Sequence, residues 1–114
     1  MVVDDDPDSR GSVAAVLEAE GYSVVEAEDG LDALKQLRAS TCTCLVVLDL
    51  FMPIMNGWTF REEQMRDPAL ANIPVVIVSA DSSAARQASS LGVEAAMAKP
   101  LDFDRFLDVV GRYC

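Results

Sequence analysis

Short apolar runs alternate with helical segments along this chain, and that alternation is the strongest constraint on its fold. Val2-Val3, Ser23 to Ala27, Leu45 to Leu48, Val75 to Val78 and Ala95 to Ala98 read as five strands. Leu45-Val46-Val47-Leu48 is unbroken rather than alternating, the pattern of a strand covered on both faces. Helical spacing fills the intervals. Val13, Val16 and Leu17 follow Pro7 and Asp8, which suit a first turn, and Gly21 supplies the stop. Leu34 and Leu37 carry a second helix to about Ala39, and Ala84, Ala88 and Leu91 carry a fourth, closed by Gly92. The third, from Trp58 to Arg66, has a weak stripe: Gln64 stands at i+4 from Phe60, and Arg61 stands where apolar packing is expected. Phe103, Phe106, Leu107 and Val110 give the last helix the clearest amphipathic pattern. Strand and helix alternating five times predict a parallel sheet with helices on both faces and right-handed crossovers. At 114 residues, 51 % of them apolar, the chain has material for one core, so residues 1–114 read as one domain.

That architecture says where chemistry belongs. In open parallel sheets the functional crevice lies beyond the carboxyl ends of the strands. The residues there are Asp4-Asp5-Asp6, Asp49, Ser79 and Lys99, with the Glu28-Asp29 turn farther out. Two carboxylates about 4 Å apart repel by roughly 4 kcal/mol at an effective dielectric of 20, so three at one rim call for a cation. Hard oxygen donors without His select Mg²⁺, Mn²⁺ or Ca²⁺, and a site with few protein ligands and several waters suits Mg²⁺ best. A metal, the Lys99 ammonium and the Ser79 hydroxyl would together neutralise the oxygens of a phosphoryl group. A carboxylate in such a site is also a nucleophile able to form an acyl phosphate. Taken singly, an Asp run after a strand is commonly a helix cap or a solvated turn, and a lone Ser or Lys carries no signal. Their joint arrival at four strand ends is what points to a site.

Charge and composition remove other classes. Nine Lys and Arg against nineteen Asp and Glu give a formal charge of −10, a field that repels nucleic-acid phosphates and anionic lipid. The unbroken apolar runs, such as Cys44 to Leu48, are far short of a membrane span. The first residues lack a signal-peptide layout, which predicts a cytoplasmic protein. There is no histidine, so any phosphohistidine chemistry must come from a partner. Cys42, Cys44 and Cys114 make a poor zinc site without His, and they read as reduced thiols at a strand entrance and a helix end.

With those residues in view, the sequence resembles the receiver family of two-component response regulators over essentially its whole length. The match runs through V-V-D-D at 2–5, D-G at 29–30, L-D-L-F-M-P-I-M-N-G at 48–57, I-P-V-V-I-V-S-A at 73–80 and K-P at 99–100. The resemblance implies a flavodoxin-like (βα)5 fold, a doubly wound α/β sheet with strand order 2-1-3-4-5. It implies that Asp49 is the phosphoacceptor and that Mg²⁺ is held by Asp5, Asp49 and the backbone carbonyl of Phe51, with Asp4 acting through a metal-bound water. Asp6 would be a solvated bystander. Ser79 and Lys99 would bind the phosphoryl group and act in the switch, while Phe51 and Asp81 would set the dephosphorylation rate. A cis Lys99-Pro100 bond is also implied. The donor would be a histidine kinase or a histidine phosphotransfer protein, and the output altered partner binding through the last two helices and the fifth strand. The sequence departs from the family at Ala96, where members often carry an aromatic switch residue three positions before the Lys.

Three other functions compete. An aspartyl-nucleophile phosphohydrolase generally places a second Asp two residues after the nucleophile, and that position is Phe51. An unphosphorylated scaffold would be expected to lack the acidic pair, Asp49 or Lys99, and all are present. A flavin binder would need a loop after the first strand that welcomes phosphate, and here that loop is anionic.

Overall fold

Successive residues of each strand point to opposite faces, and the buried side chains sort into two cores accordingly. Val3, Val46, Leu48, Val75 and Ile77 belong to one core, and Val2, Val47, Val76 and Val78 to the other. The computed structural model describes residues 1–39, 42–81, 86 and 88–114. The elements are β1 (Val2–Val3), α1 (Pro7–Ala19), β2 (Glu26–Ala27), α2 (Gly30–Ala39), β3 (Val46–Leu48), α3 (Gly57–Arg66), β4 (Val75–Ser79), a 3₁₀ turn (Ala88–Leu91), β5 (Ala95–Ala98) and α4 (Phe103–Tyr113). All strand pairs are parallel, in the order β2-β1-β3-β4-β5. Helices α2 and α3 pack Leu34, Leu37 and Phe60 on the first face. Helices α1 and α4 pack Val13, Leu17, Phe106, Val109 and Val110 on the second. No helix among the described residues is long and apolar enough to cross a membrane.

Several expectations meet this structure directly. α1 starts at Pro7, and Gly21 closes it at φ +92. There Gly21 N–H donates to Glu18 O and Tyr22 N–H to Leu17 O, the bond pair that satisfies the last carbonyls of a helix. The Lys99-Pro100 peptide is cis. The second strand, expected from Ser23, has ladder pairing only at Glu26–Ala27, because its single neighbour β1 is itself two residues long. The fourth helix was expected on Ala84, Ala88 and Leu91. Ala84 lies outside the described residues, and Ala88–Leu91 forms the 3₁₀ turn.

Two features correct the sequence reading. The weak stripe of α3 is a buried polar brace: Arg61 and Gln64 are both buried. Arg61 Nη1 donates to Gln64 Oε1 at 2.8 Å, while its Nε and Nη2 donate to the carbonyls of Leu91 and Gly92 at 3.1 and 3.0 Å. Gln64 Nε2 in turn donates to Leu70 O and Ile73 O. The polar atoms are satisfied, which is the condition for burying them. The second correction concerns the thiols. Cys44 and Cys114 are not reduced but form a disulfide, with Cα atoms 5.7 Å apart across a separation of 70 residues. The fold brings the end of α4 back to the start of β3, and spacing along the chain does not reveal that meeting.

Candidate functional site

Parallel pairing places the residues that follow each strand on one rim. Asp4 N–H donates to Ala27 O, Asp49 N–H to Val3 O, and Lys99 N–H to Ser79 O, so the ladder itself sets the spacing of the site residues. Asp4, Asp5 and Asp49 each offer a carboxylate oxygen, and these atoms lie within 4.8 Å of one another. Asp4 is buried, Asp49 half-buried and Asp5 exposed, so the cluster opens to solvent on the Asp5 side. Lys99 Nζ donates to Asp4 Oδ2 at 2.9 Å. The other Asp4 oxygen accepts from Asp6 N–H at 3.0 Å.

One ammonium among three carboxylates leaves a deficit of positive charge, and Asp49 registers it. Its pKa is pushed up from 3.8 to about 6. Burial is the largest cause and the Asp4 charge the next, with Lys99 and the N–H groups of Leu50 and Phe51 opposing. Leu50 N–H donates to Asp49 Oδ1 at 2.8 Å, which fixes the carboxylate's orientation. The donor chemistry fits a hard divalent cation: carboxylate oxygens only, one side open for water, and a crowded anion that a cation would relieve.

The remaining predicted residues lie around this centre. Ser79 is fully buried at the end of β4, beside the backbone of Lys99. Its Oγ accepts from Asp81 N–H at 3.3 Å rather than reaching into the carboxylate cluster. Asp81 is exposed. Phe51 is 51 % exposed and meets Trp58 edge to face, with ring centroids 5.3 Å apart. Asp6, expected to be a solvated bystander, caps α1: its side chain accepts from Asp8 N–H. Asp29 is buried and bonds Asp32 N–H at the start of α2, outside the carboxylate cluster.

Sequence reading passed over two supports. Arg10 Nη1 donates to Asp4 O at 2.8 Å while its Nε pairs with Glu26 at 3.1 Å, tying the loop after β1 to α1 and β2. Gly57 lets α3 start directly against the acceptor strand's end, since a Cβ there would meet Asp49 O at 2.6 Å and Leu50 Cα at 2.9 Å. An Asn-Gly pair signals a turn whatever lies behind it, so the close approach is invisible before folding.

Residues 1–111 match the family model described as the response regulator receiver domain. Protein PilH from Pseudomonas aeruginosa is 28 % identical over 112 residues, covering 96 % of this chain and 92 % of PilH. The transcriptional regulatory protein GlrR from Escherichia coli is 36 % identical over 113 residues, covering 96 % of this chain and 24 % of GlrR. Among solved structures, the response regulator TrrA from Thermotoga maritima in complex with Mg²⁺–BeF superposes with a TM-score of 0.88 at 28 % identity, covering 99 % of this chain and 96 % of that one. The chain spans less than half the length of the first curated relatives it matches.

Proposed function

Because the chain belongs to the response regulator receiver family, we propose that residues 1–114 are one receiver domain that accepts a phosphoryl group on Asp49. The donor is the phosphohistidine of a histidine kinase or a histidine phosphotransfer protein. The observation that carries this reading is the meeting of Asp4, Asp5 and Asp49 within 4.8 Å, with Lys99 bonded to Asp4 at 2.9 Å.

In the transfer an Asp49 carboxylate oxygen attacks phosphorus, the histidine N–P bond breaks, and the imidazole leaves with the bonding pair. Asp49 is the nucleophile in its ionised form, which prevails above about pH 6. Leu50 N–H holds one Asp49 oxygen, leaving the other to attack. Lys99 exchanges its bond to Asp4 for a phosphoryl oxygen, and the Ser79 hydroxyl, whose oxygen accepts from Asp81 N–H, donates its own proton to another. Asp5, Asp49 and the Phe51 carbonyl would hold Mg²⁺, with Asp4 acting through a water. Bound there, Mg²⁺ supplies charge neutralisation of the phosphoryl oxygens. Phe51 offers no acid or base two residues after Asp49, in keeping with a switch rather than a turnover enzyme. The phosphorylated state would change the surface offered to protein partners by β5, α4 and the segment before β5. The acidic charge argues for protein partners over nucleic acid or membrane, and the site of action is the cytoplasm.

Incubation with acetyl phosphate and Mg²⁺, followed by intact-mass measurement, tests the reading. One phosphoryl adduct is expected, lost in Asp49→Asn and in the presence of a chelator. An adduct that survives Asp49→Asn would place the chemistry elsewhere.

A further inference from the structure

At the opposite end of the sheet from the carboxylates, three cysteines border one cavity. Cys44 and Cys114 are bonded, and Cys42, two residues before Cys44, is exposed and outside the disulfide. All three line one cavity of about 200 Å³, together with Met1, Tyr22 and Leu45. Cys44 and Cys114 are themselves exposed residues, which puts the bond at the surface of the folded chain. Exposed disulfides are the readily reduced ones, and a neighbouring thiol gives such a bond an internal attacking group. The bond also holds something specific. Cys114 is the cap residue of α4, where its N–H donates to Val110 O at 3.0 Å. Residues 111–114 are exposed, Tyr113 least so at 36 %, with its hydroxyl donating to Glu94 at 3.5 Å, and the disulfide is the covalent tie between this turn and the start of β3.

We propose that Cys42, Cys44 and Cys114 form a thiol–disulfide exchange site whose substrate is a dithiol reductant and whose opening releases the last turn of α4 from the entrance of β3. The Cys42 thiolate attacks the sulfur of Cys44. A Cys42–Cys44 bond forms, the Cys44–Cys114 bond breaks, and Cys114 leaves as a thiolate that takes up the proton Cys42 gave up. No net oxidation occurs in this step. The dithiol then reduces the short Cys42–Cys44 loop. Two electrons and two protons pass to the protein, and the reductant becomes its own disulfide. The proposal does not depend on phosphorylation of Asp49, and its test reads neither metal nor phosphate.

The test uses the oxidised full chain without denaturant, treated with dithiothreitol, quenched with N-ethylmaleimide at intervals and mapped by peptide mass. Cys44–Cys114 should open in the folded chain, and Cys42→Ser should slow opening by about tenfold. The same variant should leave the unfolding midpoint of the oxidised chain unchanged. Amide exchange over residues 111–114 should rise on reduction while β1, β3 and β4 keep their protection. Cys114→Ser should show the fast exchange without any reductant. Opening that requires denaturant, a Cys42→Ser chain that opens at the parent rate, or exchange at the helix end that ignores reduction would each overturn the proposal. So would a chain whose three thiols all label before reductant and do not re-pair with oxidised dithiothreitol.

Discussion

Asp49→Asn should make the chain more stable when no divalent cation is present, although it removes the group on which the proposed function depends. The Asp49 pKa rises from 3.8 to about 6 because the charged form is desolvated and faces Asp4. Each pKa unit is worth about 1.4 kcal/mol, so the ceiling on the penalty is about 3 kcal/mol. Asp49 is only half-buried, and solvent screening brings the expected gain to about 1–2 kcal/mol. The sign follows from proton counting. Between about pH 4 and pH 6 the folded chain binds more protons at Asp49 than the unfolded chain does. Stability contributed by this group therefore falls as pH rises through that window and is level above it. Asn carries no charge and keeps an oxygen for the Leu50 N–H, so it escapes the penalty without losing the hydrogen bond. Urea unfolding followed by the single tryptophan, Trp58, reads the effect. With a chelator at about pH 7.5, the variant's midpoint should lie up to about 1 M above the parent's. The gap should close near pH 4, and saturating Mg²⁺ at neutral pH should close it from the other side by stabilising only the parent. A less stable variant, or a gain that ignores both pH and Mg²⁺, would refute the electrostatic account of the site.

Three further outcomes separate the roles of particular residues. Asp5→Ala should lower Mg²⁺ affinity by calorimetry, while Asp6→Ala should leave it near the parent value and instead cost about 1 kcal/mol of stability through the lost α1 cap; equal effects on Mg²⁺ would mean the acidic pair is misassigned. Phe51→Asn should speed hydrolysis of the phosphorylated Asp49 with Mg²⁺ saturating, because the aromatic ring that excludes water is replaced by a group that orients it; an unchanged or slower rate would remove Phe51 from that role. Arg61→Met should destabilise the chain by about 3 kcal/mol in chemical denaturation, since Gln64 Oε1 and the carbonyls of Leu91 and Gly92 all lose their donor. A loss below about 1 kcal/mol would mean that water replaces the guanidinium.

The local pattern of the chain carried most of the fold. Unbroken apolar runs at Leu45–Leu48 and Val75–Val78 mark strands buried on both faces, and such strands alternating with helices leave few topologies. Because parallel strands all end on one rim, Asp4, Asp5, Asp49 and Lys99 were legible as a group from their positions alone, and the structure brings those four together. What a side chain does once folded was not legible where the partner is distant in sequence. Arg61 and Gln64 looked like defects in an apolar stripe because their acceptors, Leu91, Gly92, Leu70 and Ile73, come from segments that only tertiary packing delivers. Asp6, set apart from the acidic pair as a solvated bystander, takes its capping role only where the chain turns into α1. Periodicity records which face a residue takes within its own element. The pairing of Cys44 with Cys114 depends instead on where α4 ends relative to β3, a distance set by crossovers and helix packing, and only the folded chain decides it.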